Sequence, residues 1–162
     1  MKGSYIMKIK FERATVDDID ELINVRNQSF YEDYVKYGEC PGYNLTKENM
    51  KNVFLSRIIY NIISDNKIVG NIGVRDNNDN TYFLGCLCVI PDYENKGIGQ
   101  EALRFIESEF PKATVWTLET PADKERNHYF YKKFGYNIVK EYMEGSVKLV
   151  LFEKKINPVN RV

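Results

Sequence analysis

Residues 87–100 read LCVIPDYENKGIGQ, and they predict three elements in a fixed order. The apolar run ending at Ile90 predicts a buried strand, Pro91 to Gly97 a loop, and the residues from Ile98 a helix. The first N–H groups of a helix have no partner within it, and nearby glycines let an anion approach them. The stretch is therefore a candidate phosphate site, although strand–glycine–helix connections also occur for packing reasons alone. It lacks the glycine order of a P-loop or a dinucleotide fingerprint.

Length and composition place the chain among ordinary globular domains. It has 162 residues, of which 43% are hydrophobic and 28% charged. No repeat or linker interrupts residues 8–156, so we expect one domain there, with residues 1–7 and 157–162 as short tails. The sequence leaves open whether Met1 or Met7 is the natural start. No apolar stretch is long enough to span a bilayer, and no membrane partner is expected.

Charge and cysteine content disfavour several other classes of protein. Basic and acidic residues both number 23, so no basic surface for nucleic acid is expected. Three cysteines without a secretory signal predict reduced thiols and a cytoplasmic location. Cys86 and Cys88 are too far apart along one strand for a comfortable disulfide, and we interpret them as small core residues. With a single histidine, no metal site is expected.

Hydrophobic periodicity and turn residues predict the element order β-α-α-β-β-β-α-β-α-β-β. The predicted strands are residues 7–13, 57–64, 67–75, 81–90, 113–120, 136–142 and 147–154. The predicted helices are residues 16–30, 47–54, 98–110 and 121–134. Short connections at 65–66, 76–80 and 144–146 favour antiparallel hairpins, so the sequence predicts a mixed α/β sheet covered by helices.

A second informative stretch, residues 127–136, reads NHYFYKKFGY. Asn127 and Tyr131 are four residues apart and lie on one helix face, where an aromatic residue alone is more typical of a core. Together, however, the two stretches resemble the GNAT acetyltransferase superfamily. Residues 94–99 are similar to its Q/R-x-x-G-x-G/A motif and residues 131–136 to its Y-x-K-x-G-[FY] block. The resemblance covers about residues 8–155, and Glu94 departs from it, because the family usually has Gln or Arg there.

This resemblance implies a fold and a co-substrate. The fold has a mostly antiparallel central sheet of six to seven strands, a splayed central pair, and about four covering helices. The strand with Leu87 would separate from residues 113–120, leaving a gap for the pantetheine arm of acetyl-CoA. The residues that the resemblance assigns to acetyl-CoA are Leu87, Cys88, Val89, Glu94, Asn95, Lys96, Gly97, Ile98, Gly99, Gln100 and Asn127.

The resemblance also implies transfer of the acetyl group to a primary amine of a small molecule, protein or peptide, without a metal. Tyr131 would face the thioester sulfur. Reference pKa values of about 10 for tyrosine and 8.5 for a thiol make full proton transfer uphill by roughly 2 kcal/mol, so we expect Tyr131 to stabilise the leaving thiolate by hydrogen bonding. Glu119 is the best-placed carboxylate for a general base, and a surface carboxylate before Pro121 is the alternative interpretation.

Tyr31, Glu32 and Tyr34 fall where this family builds its acceptor pocket. Aromatic faces beside carboxylates suit a cationic amine, although a solvated helix end explains these residues nearly as well. The alternative function is a non-catalytic acyl-CoA-binding or sensing module of the same fold. Tyr131 favours the enzyme and Glu94 the module, and the sequence leaves open whether the chain forms a homodimer.

Overall fold

A seven-stranded sheet runs through the molecule in the computed structural model, which describes residues 8–157. Its strands are β1 (Ile9–Arg13), β2 (Ile58–Ser64), β3 (Lys67–Asp76), β4 (Thr81–Val89), β5 (Val115–Pro121), β6 (Asn137–Glu144) and β7 (Val147–Lys155). The spatial order is β1-β2-β3-β4-β5-β7-β6. Neighbours are antiparallel except β4 and β5, which are parallel. The predicted mixed, mostly antiparallel sheet is confirmed.

Four α-helices cover this sheet in the described part of the chain: α1 (Ile19–Tyr37), α2 (Lys47–Ser56), α3 (Ile98–Glu109) and α4 (Glu125–Lys133). Helices α1 and α2 pack on one face, where Leu22 and Met50 surround Ile59 of β2. Helix α3 packs on the other face, where the Phe105 ring stacks on Phe11 of β1 at 4.3 Å between ring centroids. None of these helices is both long and apolar enough to cross a lipid bilayer.

Strands β4 and β5 pair for half of their length and then separate. Thr81–Leu84 of β4 pair with Val115–Leu118 of β5, and no pairing continues beyond Leu84. At this point the register between β3 and β4 also shifts, because Val74 lies opposite Leu84 while Gly73 lies opposite Cys86. Gly85 is thus an extra residue, and such a bulge bends a strand locally. The predicted splayed pair is confirmed.

The start of α4 and the end of α1 differ most from the sequence prediction. Helix α4 begins at Glu125 rather than at residue 121, because Pro121 stays in β5 opposite Leu149 and the Ala122 N–H donates to the Lys148 carbonyl at 2.8 Å. Helix α1 continues past residue 30 to Tyr37 and ends at Gly38, whose φ of 75° only glycine adopts readily. The longer α1 brings its C-terminal half beside the separated strands.

Candidate active site

A cleft of about 590 Å³ opens where β4 and β5 separate. From Gly85 to Val89, the edge of β4 that faces β5 has no strand partner in the described residues. Helix α4, the loop before α3 and the C-terminal half of α1 form the remaining walls. Of the residues predicted to bind acetyl-CoA or to take part in catalysis, the cleft is lined by Leu87, Cys88, Val89, Glu94, Asn95, Gly97, Ile98, Gly99, Gln100, Glu119, Asn127 and Tyr131.

The mouth of the cleft contains the N-terminus of α3. Gly97 precedes the helix with a φ of 81°, and the first bond within the helix runs from the Glu101 N–H to the Gly97 carbonyl at 3.1 Å. The N–H groups of Ile98, Gly99 and Gln100 therefore precede the bonded part of the helix and are available to an anion. A Cβ at Gly99 would lie 3.1 Å from the Phe130 ring, so a side chain there would press against α4.

Arg126 of α4 reaches across to this mouth, and the sequence analysis did not identify it. Its guanidinium donates to the Asn95 side-chain oxygen at 2.9 Å and lies 3.5 Å from the Glu94 carboxylate. Arg126 lines the cleft. Lys96, the predicted cation of the loop, is not among the lining residues, and its ammonium lies 5.5 Å from the centroid of the Tyr93 ring. The cation at the mouth thus comes from another helix.

Tyr131 lies in the wall of the cleft, with only 9% of its surface exposed. Its ring packs against Phe152 and Tyr136, with 5.8 Å between centroids in both pairs. Among residues 8–157 its hydroxyl has no hydrogen-bond partner, and burial raises the pKa of the phenol above its usual value. The hydroxyl therefore keeps its proton at neutral pH and is free to donate it to a group in the cleft.

Asn127, one helical turn before Tyr131, is held in place by β5. Its side-chain amide donates to the Thr120 hydroxyl at 3.0 Å, and Thr120 is itself buried. The neighbouring His128 points elsewhere: its Nε2 lies 3.0 Å from the Pro121 carbonyl, and its ring meets the Phe152 ring edge-on. The histidine thus connects α4 to the end of β5.

The separating strands β4 and β5 form a fork. Glu119 also lines the cleft, on the β5 side of this fork. Its carboxylate lies near Tyr142, and burial together with this negative charge raises the pKa of the Tyr142 phenol. Glu119 is solvent-exposed, so its carboxylate is accessible from the cleft. Within residues 8–157, no cluster of three His, Cys, Asp or Glu side chains is suited to hold a metal ion.

The C-terminal half of α1 gives the cleft an acidic wall, but not with all the predicted residues. Glu32 and Asp33 line the cleft, whereas Tyr31 and Tyr34 do not. The Tyr34 ring stacks on Tyr43 at 4.5 Å, and Tyr31 leans against the same ring. These tyrosines thus pack against the loop that follows α1, outside the cleft.

Asp33 is not a free carboxylate within this wall. It forms two hydrogen bonds with the Lys124 ammonium, at 2.8 and 2.9 Å, and both side chains are largely buried. This bridge joins α1 to the start of α4 and neutralises one of the two carboxylates in the acidic wall. Glu32 remains exposed and has no ion-pair partner among the described residues.

The sequence profile of the Acetyltransferase (GNAT) family matches residues 19–136, which hold the fork, the α3 N-terminus and Tyr131. The chain belongs to the GNAT acetyltransferase family. The uncharacterized protein YrkN of Bacillus subtilis is 30% identical to this GNAT chain over 150 residues, a match that covers 89% of this chain and 81% of YrkN. The resemblance to the GNAT superfamily that the sequence suggested is thereby confirmed.

Solved structures of GNAT proteins have the same fold as this chain. The PaiA N-acetyltransferase of Thermoplasma acidophilum, in complex with coenzyme A, has a TM-score of 0.78 and 22% identity, with 93% of this chain and 100% of that chain covered. The ribosomal-protein-S18-alanine N-acetyltransferase of Escherichia coli has a TM-score of 0.75 and 13% identity, with 92% and 94% covered. A GNAT family acetyltransferase of Elizabethkingia anophelis, with acetyl-CoA bound, has a TM-score of 0.66 and 15% identity, with 91% and 98% covered.

Proposed function

We propose that this GNAT chain transfers the acetyl group of acetyl-CoA to a primary amine of a small molecule or peptide, with Tyr131 assisting the departure of the thiolate. One observation carries the proposal: the cleft between β4 and β5 has a buried tyrosine with an unpaired hydroxyl in its wall and a free helix N-terminus at its mouth. The coenzyme A and acetyl-CoA complexes of related folds support the choice of co-substrate.

The cleft offers distinct contacts to the two ends of acetyl-CoA. The N–H groups of Ile98, Gly99 and Gln100 would hold the pyrophosphate, and Arg126 would add a positive charge beside them. The unpaired edge of β4 would hydrogen-bond the pantetheine arm, as a neighbouring strand would. The amide of Asn127 lies on the opposite side of the gap, oriented by Thr120. Together these contacts would position the thioester of acetyl-CoA beside Tyr131.

The reaction would use the same groups. As the amine attacks, the carbonyl oxygen gains negative charge, and a backbone N–H on the unpaired edge of β4 would stabilise it. The carbon–sulfur bond then breaks, and the Tyr131 hydroxyl donates a hydrogen bond to the departing sulfur. Because burial raises the pKa of this phenol, its proton stays mainly on oxygen, and solvent completes protonation of the thiolate.

The acceptor amine would enter from the side of α1 and β5. An ammonium group must lose a proton before it attacks, and Glu119, which is exposed in the cleft, would receive it directly or through water. Glu32 gives the entrance an unpaired negative charge. We therefore propose a preference for cationic amines over anionic ones.

Calorimetry with acetyl-CoA, followed by thiol release across a panel of amines, tests the proposed function. We expect acetyl-CoA to bind and at least one amine to release free thiol at a rate that depends on the enzyme. Binding without thiol release from any amine would instead support the acyl-CoA-binding module. Failure to bind acetyl-CoA would refute both interpretations.

A further inference from the structure

Two arginines beneath the fork have no carboxylate partners in the described structure. Arg26 of α1 is 6% exposed, its guanidinium donates to the Asn71 side-chain oxygen at 3.3 Å, and its Nε has no hydrogen-bond partner among residues 8–157. A guanidinium stays charged in proteins, and burying a charge without a counter-charge is strongly unfavourable. The site therefore favours an anion close to Arg26.

Arg57, the residue that follows α2, is a second cation without an ion-pair partner in the described structure. Its Nη1 is buried and has no hydrogen-bond partner in the described part of the chain. The guanidinium lies over Gly85, where a Cβ would come within 2.7 Å of Nη1, and 5.1 Å from the centroid of the Phe83 ring. Burial and the neighbouring Arg75 lower the pKa of Arg57, while the charges of Cys86 and Glu119 act in the opposite direction and offset its charge only in part.

The group between these arginines and the cleft is the thiol of Cys86. Its Sγ donates to the Asn71 oxygen at 3.4 Å, and the Asn71 amide donates to the Cys88 Sγ at 3.2 Å. The neighbouring Cys88 thiol, together with the charges of Arg26 and Arg57, lowers the pKa of Cys86, while the proximity of Cys86 and burial raise the pKa of Cys88. Neither Arg26 nor Arg57 lines the cleft, so an acceptor carboxylate would not reach them, whereas Cys86 does line it.

Cys86 also lies beside the place where the thiol of coenzyme A would be released. It follows the bulge at Gly85, where β4 leaves β5, and a charge on its sulfur raises the pKa of Tyr131 in the opposite wall. A cysteine thiolate is the reactive form in disulfide exchange, and nearby cations increase its population. Cys86 packs against the core, as the sequence analysis expected, and it also has the charge environment and the access to the cleft that a modified thiol requires.

We propose that Cys86 is a modification site at which coenzyme A itself becomes attached through a mixed disulfide, which closes the cleft until a reducing thiol removes it. The inference rests on the proposed binding of acetyl-CoA. In the step, the Cys86 thiolate attacks one sulfur of a coenzyme A disulfide, and a Cys86–S–S–CoA bond forms as the original disulfide breaks. The Cys86 sulfur is oxidised, and the second coenzyme A is reduced, leaves as a thiolate and takes a proton from water.

The test treats the reduced, full-length protein with coenzyme A disulfide and measures its intact mass without reductant. We expect one adduct, equal to coenzyme A less two hydrogens, that peptide mapping assigns to Cys86 and that dithiothreitol reverses. Glutathione disulfide, which lacks the nucleotide, should react at least about tenfold more slowly, because the cleft does not position it. The adduct should abolish acetyl-CoA binding measured by calorimetry.

Four variants make the result specific. Cys86→Ser should bind acetyl-CoA like the parent and form no adduct, whereas Cys40→Ser should form it at the parental rate. Arg57→Gln should slow the reaction about tenfold at neutral pH and move its pH profile upwards, because fewer Cys86 thiols are ionised. Arg104→Gln, at an exposed arginine of α3, is the matched control and should change neither the rate of adduct formation nor its pH profile.

The outcomes separate the two proposals. An unmodified parent that still binds acetyl-CoA, or an adduct on Cys40 or Cys88 instead, would overturn the inference and leave the proposed function intact. A parent that binds no acetyl-CoA would overturn both. An Arg57→Gln variant that reacts at the parental rate would refute the role of the Arg57 guanidinium.

Discussion

Single side chains at the cleft divide into those that the protein holds rigidly and those left free for a ligand. Tyr131 is packed among aromatic rings, yet its hydroxyl is unpaired in the described structure. Asn127 is fixed by Thr120, and Asp33 by Lys124. A fixed side chain loses little entropy when it binds, so these residues are suited to position a substrate.

Arg126 is the residue for which the structure adds most to the sequence analysis. We expect Arg126→Ala to weaken acetyl-CoA binding about three- to tenfold, because an exposed cation beside the phosphate-binding turn is lost. Calorimetry at low and at high salt checks this, and the difference between parent and variant should shrink as salt rises. Arg104→Ala, which removes an exposed arginine elsewhere on the surface, should leave affinity unchanged; an equal effect of the two variants would contradict the assignment.

Glu32 tests the acceptor side without disturbing the fold. Asp33 is unsuitable for this purpose, because its loss would break the bridge to Lys124. We expect Glu32→Gln to raise the KM for a cationic amine about two- to fivefold and to flatten its salt dependence, while the KM for acetyl-CoA stays unchanged. A variant with the parental amine KM would remove Glu32 from the acceptor site and leave the acetyltransferase proposal standing.

At the scale of an element, the N-terminus of α3 has the clearest requirement for a particular residue, the glycine at position 97. Gly97 has a left-handed backbone, which strains any residue with a side chain. A Cβ at this position would contact no protein atom but would project into the cleft, where it would obstruct the anion site. Gly38, at the end of α1, has a similar φ of 75° and equally open surroundings, but it lies outside the cleft. The two positions form a matched pair.

We expect Gly97→Val and Gly38→Val to lose similar stability, about 1–2 kcal/mol each, because both impose a left-handed backbone on a branched residue. Only Gly97→Val should also weaken acetyl-CoA binding, by at least about tenfold. Denaturant unfolding and calorimetry on both variants separate the two effects. Parental affinity in Gly97→Val would refute the phosphate-site assignment.

The elements were predictable where a local rule decides them. The turn at Asp65 and Asn66 has positive φ at both residues, which is the geometry that a two-residue hairpin requires, and Thr46 caps α2 through the Asn49 N–H as its sequence position suggests. The start of α4 was not predictable in this way, because Pro121 is kept in β5 by pairing with a strand almost thirty residues later in the chain.

The candidate site was predictable from the sequence only where a local backbone turn or a sequence motif defines it. The α3 turn and Tyr131 are local in sequence, and both line the cleft. The bridges from Arg126 to Asn95 and from Lys124 to Asp33 join distant segments, and no periodicity marks them. The environment of Cys86 depends on α1, α2 and β3 at once, and the sequence therefore suggested an ordinary core thiol.

On the scale of the whole molecule, the cleft lies between two parts of one sheet, with β1–β4 on one side and β5–β7 on the other. These parts are paired directly only from Thr81 to Leu84. A ligand that contacts both β4 and α4 would act as an additional connection between them. Its binding should therefore be visible in the stability of the entire fold.

We expect acetyl-CoA at about one hundred times its Kd to stabilise the protein by about 2.7 kcal/mol, which corresponds to a rise in Tm of roughly 5–10 °C for a chain of this size. Thermal unfolding with increasing acetyl-CoA measures the shift, and adenosine alone serves as a control that cannot span the cleft. A Tm that does not change at ligand concentrations far above the calorimetric Kd would argue against binding across the fork.

The most direct test of the central claim is amine-dependent thiol release from saturating acetyl-CoA by the parent and by Tyr131→Phe. The variant loses one hydroxyl and little volume, so its acetyl-CoA affinity should be nearly parental. We predict enzyme-dependent thiol release in the parent and a decrease in kcat of about 100- to 10,000-fold in the variant. Turnover by Tyr131→Phe within about threefold of the parent would contradict the role of Tyr131, and no release by the parent with any amine would contradict the acetyltransferase itself.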